Sequence, residues 1–242
     1  MLVVAHRGAS HNCPENTVLA FEQALVEGAD GIELDVHLHK SGELIVCHDH
    51  YIDRISSLDG DLNDFTLKQL QQIALPQNQH ISLLSEILRR INGRCIVNIE
   101  LKTADCDKNT LARLCRVLEQ TLYEATTSFN FKPKQLIVSS FNHPLIGYLA
   151  NKISDFPVSP LTASCPLSLS GFATKLNASG LHVTIDCLNK EIVDDAKKNG
   201  LYVWVYTVDR AQDIERCYAL GVDAIITNTP ASTIQELKII LK

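Results

Sequence analysis

Short apolar runs alternate along the chain with longer segments whose apolar residues recur at helical spacing. The runs are rich in Val, Ile and Leu, which is typical of strands buried on both faces. They cover residues 2–5, 31–36, 95–101, 135–139, 157–161, 181–185, 202–206 and 224–227. The helical segments cover residues 14–27, 81–91, 109–127, 143–152, 167–176, 190–199, 211–220 and 231–241.

Eight strand–helix units in 242 residues predict one α/β domain, residues 1–242, folded as a closed (β/α)8 barrel. An open, doubly wound sheet is the alternative, because the run at residues 157–161 is weak. Residues 49–80 interrupt the alternation after the second strand. They are polar, contain Gly60 and Pro76, and predict a small insertion with one short helix at residues 66–73 and no core of its own.

Composition and charge exclude several classes of function. The chain has a formal net charge of -6 and no block of Lys or Arg, so neither nucleic-acid binding nor a polybasic membrane anchor is expected. Eight cysteines without a CxxC pair predict free thiols in a reducing cytoplasm. The chain enters its first strand at once, which predicts no signal peptide. Nothing in the sequence indicates the oligomeric state.

Two carboxylates stand at alternate positions of the second strand. Glu33 and Asp35 therefore point to the same side. Burying two acids is costly unless a cation neutralises them. Oxygen ligands suit a hard divalent cation such as Mg²⁺ or Ca²⁺. The alternatives are that the acids pair with Lys or Arg, or face water on an edge strand.

Further polar residues follow the other strands at their carboxyl ends, where barrel active sites lie. The candidates are His6, Arg7, His48, Glu100, Lys102, Ser139, Ser140, Trp204 and Tyr206. Glu100 would complete a cation site with the acids of the second strand. Arg7 and Lys102 suit an anionic substrate, best a phosphate. His6 and His48 could act as general acid and base.

Each of these residues also has a structural alternative. A histidine at a strand end often only caps it by hydrogen bonding, and this is the simpler interpretation of His6 taken alone. Arg7 could pair with the acids of the second strand, and Glu100 with Lys102, without any substrate. Trp204 lies in the middle of an apolar strand, where an aromatic residue usually packs in the core.

The motifs taken together resemble those of the glycerophosphodiester phosphodiesterase family. The resemblance spans nearly the whole chain, in the order AHRGAS, PENT at 14–17, GADGIELDVHLHKSGELIVCHD, VNIELK at 97–102, VSSF at 138–141, VWVYTVD at 203–209 and GVDAIITNTP at 221–230. It implies a TIM barrel that hydrolyses glycerophosphodiesters to sn-glycerol 3-phosphate and an alcohol with one divalent cation.

The resemblance also assigns roles by position. It makes His6 and His48 catalytic, and Glu33, Asp35 and Glu100 the metal ligands. It makes Arg7 and Lys102 contacts of the phosphate, places Glu15 near the substrate, and puts Trp204 on the glycerol side. The sequence departs from the family after Arg54, before the second helix at Ser82-Leu83, and at Tyr206; these departures concern the leaving alcohol.

Three other functions are compatible with this pattern. A lysophospholipase D-like enzyme would need an apolar groove in the insertion. A barrel that binds phosphoesters without catalysis would lack a metal ligand or a histidine. A phosphotriester or sugar-phosphate enzyme would use clustered histidine ligands, which this chain does not have.

Overall fold

Eight parallel strands close into a barrel in the computed structural model, which describes residues 1–103 and 107–241. The predicted domain also includes residues 104–106 and 242, which lie outside the described part. The barrel strands are β1 (Leu2–His6), β2 (Gly31–Leu38), β4 (Ile96–Leu101), β5 (Leu136–Ser140), β6 (Val158–Thr162), β7 (Gly180–Thr184), β8 (Tyr202–Tyr206) and β9 (Ala224–Thr227). Strand β1 pairs with both β2 and β9. The predicted closed barrel is therefore confirmed, and the open sheet is wrong.

Helices surround the barrel and cover the outer faces of its strands. They are α1 (Val18–Val26), α3 (Leu84–Ile91), α4 (Lys108–Ser128), α5 (His143–Ala150), α6 (Gly171–Lys175), α7 (Lys190–Lys198), α8 (Ala211–Leu220) and α9 (Pro230–Ile240). The short helix α2 (Leu67–Gln72) lies instead in the insertion after the second strand. Cys95, Cys115 and Cys217 are buried in the layer between strands and helices. The seven cysteines within the described residues are all free thiols, as predicted.

Alternation along β2 and β4 decides which side chains reach the barrel interior. Ile32 and Leu34 pack outward in the same cluster as Phe21 of α1, so the residues between them point inward. Asp35 pairs in register with Glu100 of β4. The inward face near the carboxyl end of these two strands is thus acidic.

The strand β3 (Leu44–Val46) lies outside the barrel and pairs antiparallel with β2. It is a short apolar run, LIV, and the chain continues from it through Cys47 into His48. The insertion that follows contains α2, as predicted, but it also has an apolar cluster of its own, contrary to expectation. The insertion contributes Ile52, Leu62, Leu70, Ile73 and Leu75 to this cluster, and the flanking residues Ile45, Cys47 and Ile81 complete it. Its members are widely spaced among polar residues, so no periodicity reveals them in the sequence.

Several helices begin later than their sequence patterns predict. Helix α1 begins at Val18 because Thr17 caps it, accepting a hydrogen bond from the Ala20 N–H. Asn16 has a left-handed φ of 57° and cannot continue a helix. Helix α6 is only five residues long. Within the described residues, no helix combines the length and the apolar character needed to cross a membrane.

Candidate active site

Three buried carboxylates meet at the carboxyl ends of β2 and β4. Glu33, Asp35 and Glu100 are only 2%, 1% and 7% exposed. One oxygen from each side chain lies within 4.8 Å of the others. The cluster forms because neighbouring parallel strands carry their inward residues in register, which is the arrangement that the sequence predicts.

Two cations partly neutralise this cluster. Lys102 Nζ lies 2.9 Å from Asp35 Oδ1 and donates a hydrogen bond to Glu100 Oε1. Arg7 Nε lies 3.1 Å from Asp35 Oδ2, and the Arg7 backbone N–H donates to Glu33 Oε2 over 3.0 Å. The predicted ion pairs therefore exist alongside the predicted cluster, with two fixed positive charges against three carboxylates.

Glu33 is the carboxylate of the cluster whose negative charge is least compensated by the two cations. Burial, followed by the charges of Asp35 and Glu100, raises the pKa of Glu33 well above its usual value. Burial also opposes ionisation of Asp35, but Lys102 and Arg7 outweigh it and lower the pKa of Asp35. Glu33 Oε1 is buried and has no hydrogen-bond partner among the described residues. Clustered carboxylate oxygens with one buried oxygen unpartnered fit a hard divalent cation.

His6 is held in one tautomer by a chain of hydrogen bonds. Asn228 Nδ2 donates to Asp209 Oδ2 over 2.6 Å, so the Asn228 carbonyl oxygen is free to accept. His6 Nδ1 lies 2.7 Å from that oxygen and must carry the proton. The lone pair is thus on Nε2, which lies 3.9 Å from Glu33 Oε2. Burial, reinforced by the charge of Arg7, lowers the pKa of His6, so the imidazole is neutral at pH 7.

His48 has an equivalent arrangement with a carboxylate. Its Nδ1 lies 2.6 Å from Asp49 Oδ1, so Nδ1–H donates to Asp49. Arg54 of the insertion donates from Nε to the other oxygen of Asp49. Its two terminal nitrogens donate to Glu15 at 3.1 and 2.6 Å, and Glu15 accepts a third bond from Arg7 at 3.0 Å. A continuous network therefore links His48 to the acid cluster through the insertion.

The loop after β1 brings these groups together because its backbone adopts left-handed conformations. Arg7 has a φ of 55° and Gly8 a φ of 83°, a region that L side chains rarely adopt. A Cβ atom on Gly8 would lie 2.6 Å from the Ala20 carbonyl carbon. Asn16, also left-handed, donates from Nδ2 to Asp35 Oδ2 over 2.8 Å. The tight loop thus aims both Arg7 and Asn16 at the second strand.

A cavity of about 350 Å³ opens beside His48, Glu100 and Lys102. Phe141, which follows β5 and is 48% exposed, lines this cavity. Its ring packs edge-on against Tyr206 with 6.0 Å between ring centroids. The cavity therefore combines an apolar wall with a floor of titratable groups.

Glu15 and Trp204, which the family resemblance places near the substrate, contact other side chains of the protein. The Glu15 carboxylate accepts hydrogen bonds from Arg7 and Arg54. Trp204 is 3% exposed in the barrel interior and stacks on His182 with 5.0 Å between ring centroids. It packs as the structural alternative predicts. The substrate contacts of Glu15 and Trp204 stay predictions.

Six residues of the site have no role assigned by the sequence reasoning. They are Asn16, Asp49, Arg54, Phe141, Asp209 and Asn228. All but Arg54 lie inside the motifs that carry the family resemblance, and these motifs are the feature of the sequence that could have identified them as site residues. Some of their partners are distant along the chain, as the separation of 222 positions between His6 and Asn228 illustrates.

Comparison with known proteins gives a consistent result over the whole chain. A family model described as the glycerophosphoryl diester phosphodiesterase family matches residues 6–232. The chain is 35% identical over 241 residues to the glycerophosphodiester phosphodiesterase of Caldanaerobacter subterraneus subsp. tengcongensis, and the match covers 96% of each protein. The crystal structure of a glycerophosphodiester phosphodiesterase from Thermotoga maritima is 28% identical, with a TM-score of 0.79 and 97% of each chain covered.

A more distant structure shares the fold. It is an Oleispira antarctica phosphodiesterase in complex with the product sn-glycerol-3-phosphate, 23% identical with a TM-score of 0.87. The alignment covers 98% of this chain and 97% of that one. The barrel and its insertion thus follow a known architecture from end to end.

Proposed function

The chain belongs to the glycerophosphoryl diester phosphodiesterase family, and from this premise we propose how it hydrolyses its substrate. One divalent cation, Mg²⁺ or Ca²⁺, and two histidines convert a glycerophosphodiester to sn-glycerol 3-phosphate and an alcohol, with residues 1–242 acting as one domain. The observation that carries the proposal is the pair of histidines, each with Nδ1–H bonded and Nε2 available, beside three buried carboxylates.

Glu33, Asp35 and Glu100 would hold the cation. When bound, it would polarise a phosphoryl oxygen and offset the charge that develops on the phosphate. Arg7 and Lys102 would contact the other phosphoryl oxygens. The carboxylate partners of Arg7 and Lys102 fix both side chains in place. Each side chain is still 17% exposed and therefore reaches the opening of the barrel. Fixed charges of this kind favour the transition state because they need no rearrangement during the reaction.

His6 and His48 divide the proton transfers. Neutral His6 would accept the proton of the attacking hydroxyl at Nε2 while the new oxygen–phosphorus bond forms. His48 would donate a proton from Nε2 to the departing alkoxide while the old bond breaks. Asp49 would stabilise the protonated His48 imidazole through Nδ1–H, as a carboxylate does when it orients a histidine. The attacker is either water or the neighbouring glycerol hydroxyl, the latter giving a cyclic phosphate that water opens.

A coupled assay for released glycerol 3-phosphate tests the reaction. The purified protein should release it from glycerophosphocholine or glycerophosphoethanolamine, lose this activity in EDTA, and regain it with Mg²⁺ or Ca²⁺. Replacing His6 or His48 with alanine should each reduce kcat by about 10²- to 10⁴-fold. His80→Ala, at an exposed histidine of the insertion, is the matched control. Absence of release with every diester and both metals would overturn the proposal.

The surroundings of the site favour this function over a lysophospholipase D-like activity. A groove of about 350 Å³ in the insertion does have apolar residues, among them Leu58, Phe65 and Ile73. None of its lining residues also lines the cavity beside His48, so the groove gives an acyl chain no path from the phosphate. A barrel that only binds phosphoesters is also less favoured, since all three carboxylates and both histidines are present.

A further inference from the structure

A second cavity of about 340 Å³ adjoins the one beside His48. It lies between the β2–β3 hairpin, the insertion and α4. The two cavities share four lining residues, which are His37, His50, Lys102 and Thr103. A substituent of the departing alcohol could therefore pass from the first cavity into the second without leaving the protein surface.

Lys40 and Arg113 line this second cavity, and neither has a carboxylate partner within the part of the chain that the structure describes. Arg113 of α4 donates from Nη2 to the backbone carbonyls of Lys40 and His39, at 2.7 and 3.4 Å. Lys40 Nζ donates to the Asn63 carbonyl. Neither forms an ion pair with any carboxylate in residues 1–103 and 107–241, and none of the described lining residues is Asp or Glu. In a chain with net charge -6, two such cations facing one cavity mark a place for an anion.

Two histidines that line the cavity, His37 and His39, use ring nitrogens in hydrogen bonds within the protein. His39 is 1% exposed and has both ring nitrogens engaged, with Ser41 Oγ at 2.7 Å and the Phe65 carbonyl at 3.1 Å. His37 is buried, and its Nε2 lies 3.0 Å from the His48 carbonyl. The fixed positive charge of the cavity comes from Lys40 and Arg113, with Lys102 at the boundary of the two cavities.

We infer that the second cavity binds an anionic group, a phosphate or a carboxylate, carried by the alcohol half of the diester. This inference rests on the proposed function, because it concerns which glycerophosphodiesters the same reaction centre prefers. Arg113 and Lys40 hold the anion by charge-assisted hydrogen bonds. Diesters whose alcohol lacks a negative charge still reach the reaction centre, but they leave the cationic cavity without a ligand.

Two matched pairs of substrates test the inference by release of glycerol 3-phosphate. Glycerophosphoinositol 4-phosphate differs from glycerophosphoinositol by one phosphate, and glycerophosphoserine differs from glycerophosphoethanolamine by one carboxylate. At low ionic strength, kcat/KM should be about tenfold higher for the charged member of at least one pair. The pair that shows the preference identifies which anion the cavity takes.

Variants connect the preference to the cavity. Arg113→Gln and Lys40→Gln should each reduce the ratio of kcat/KM within the pair by about threefold, and the double variant should bring it close to one. Arg113→Glu should invert it. Lys134→Gln, which removes one exposed positive charge before β5, should keep the wild-type ratio. Circular dichroism and the thermal midpoint of each variant check that it is folded.

The outcomes separate this inference from the proposed function. Equal kcat/KM within both pairs for the wild type would overturn the anionic subsite while leaving the hydrolysis established. A preference that persists in the double variant would also overturn it, since the charge would then be recognised elsewhere. Failure to hydrolyse any of the four diesters with added Mg²⁺ or Ca²⁺ would instead refute the proposed function.

Discussion

Replacing His182 with phenylalanine should make the protein less sensitive to acid. His182 lies on β7, is completely buried, and stacks on Trp204 with 1° between the ring planes. Neither ring nitrogen has a hydrogen-bond partner among the described residues. Phenylalanine keeps the stacked ring and removes two unpaired polar atoms, so the change should cost little stability at pH 7.5.

The magnitude follows from the difference in proton affinity between the folded and unfolded chain. Burial lowers the pKa of His182 to about 3, whereas an unfolded histidine has a pKa of about 6.5. Above pH 6.5 both states are neutral, and His182 adds no pH dependence. Between pH 6.5 and about 3, only the unfolded state binds the proton, so stability falls as the pH falls. At pH 4.5 this group alone removes about 3 kcal/mol.

Urea unfolding at pH 7.5 and pH 4.5 measures the effect. The wild type should lose about 3 kcal/mol more than His182→Phe between these two pH values. His80→Phe, at an exposed position, should lose as much as the wild type. The same pH dependence in His182→Phe and the wild type would refute the argument that the buried ring stays neutral.

Three further substitutions test the loops around the site. Asn228→Leu should reduce kcat by roughly 10- to 100-fold, since it releases the tautomer of His6, and the KM should change less. Arg54→Gln should reduce kcat by about tenfold. Its stability should change by at most about 1 kcal/mol, because the ion pairs of Arg54 with Asp49 and Glu15 are half-exposed. Arg89→Gln is the control, and equal kcat values for Arg54→Gln and the wild type would contradict the role of the network. Gly8→Ala should destabilise the fold by roughly 1–3 kcal/mol in urea unfolding, and an unchanged midpoint would contradict the predicted clash.

The sequence predicts the barrel and the acid cluster because both depend on local periodicity. A run of alternating residues in a parallel strand determines which side chains share a face, as with Glu33 and Asp35. Parallel strands in register then bring Glu100 beside them. Eight such runs suffice to predict closure, although the weak run at residues 157–161 left the open sheet as an alternative.

The remaining features depend on loops that converge from distant parts of the chain. Nothing local connects His6 with Asn228, or Glu15 with Arg54 of the insertion. The start of α1 depends on the left-handed Asn16, whose side chain bonds Asp35 rather than beginning a helix. Such contacts balance tertiary hydrogen bonds against local propensity, and a single sequence does not reveal which prevails.

Because Arg54 connects the insertion to Asp49 and Glu15, the network around His48 is complete only when the insertion is docked on the barrel. The insertion rests on a cluster of eight buried apolar residues, far smaller than the layer between the barrel and its helices. Elements with few buried contacts open at lower free energy than the global fold. Under the proposed mechanism, a nascent or heated chain with an intact barrel but an undocked insertion would lack the support of Asp49. On this basis, we expect catalytic competence to be gained late in folding and lost early on warming.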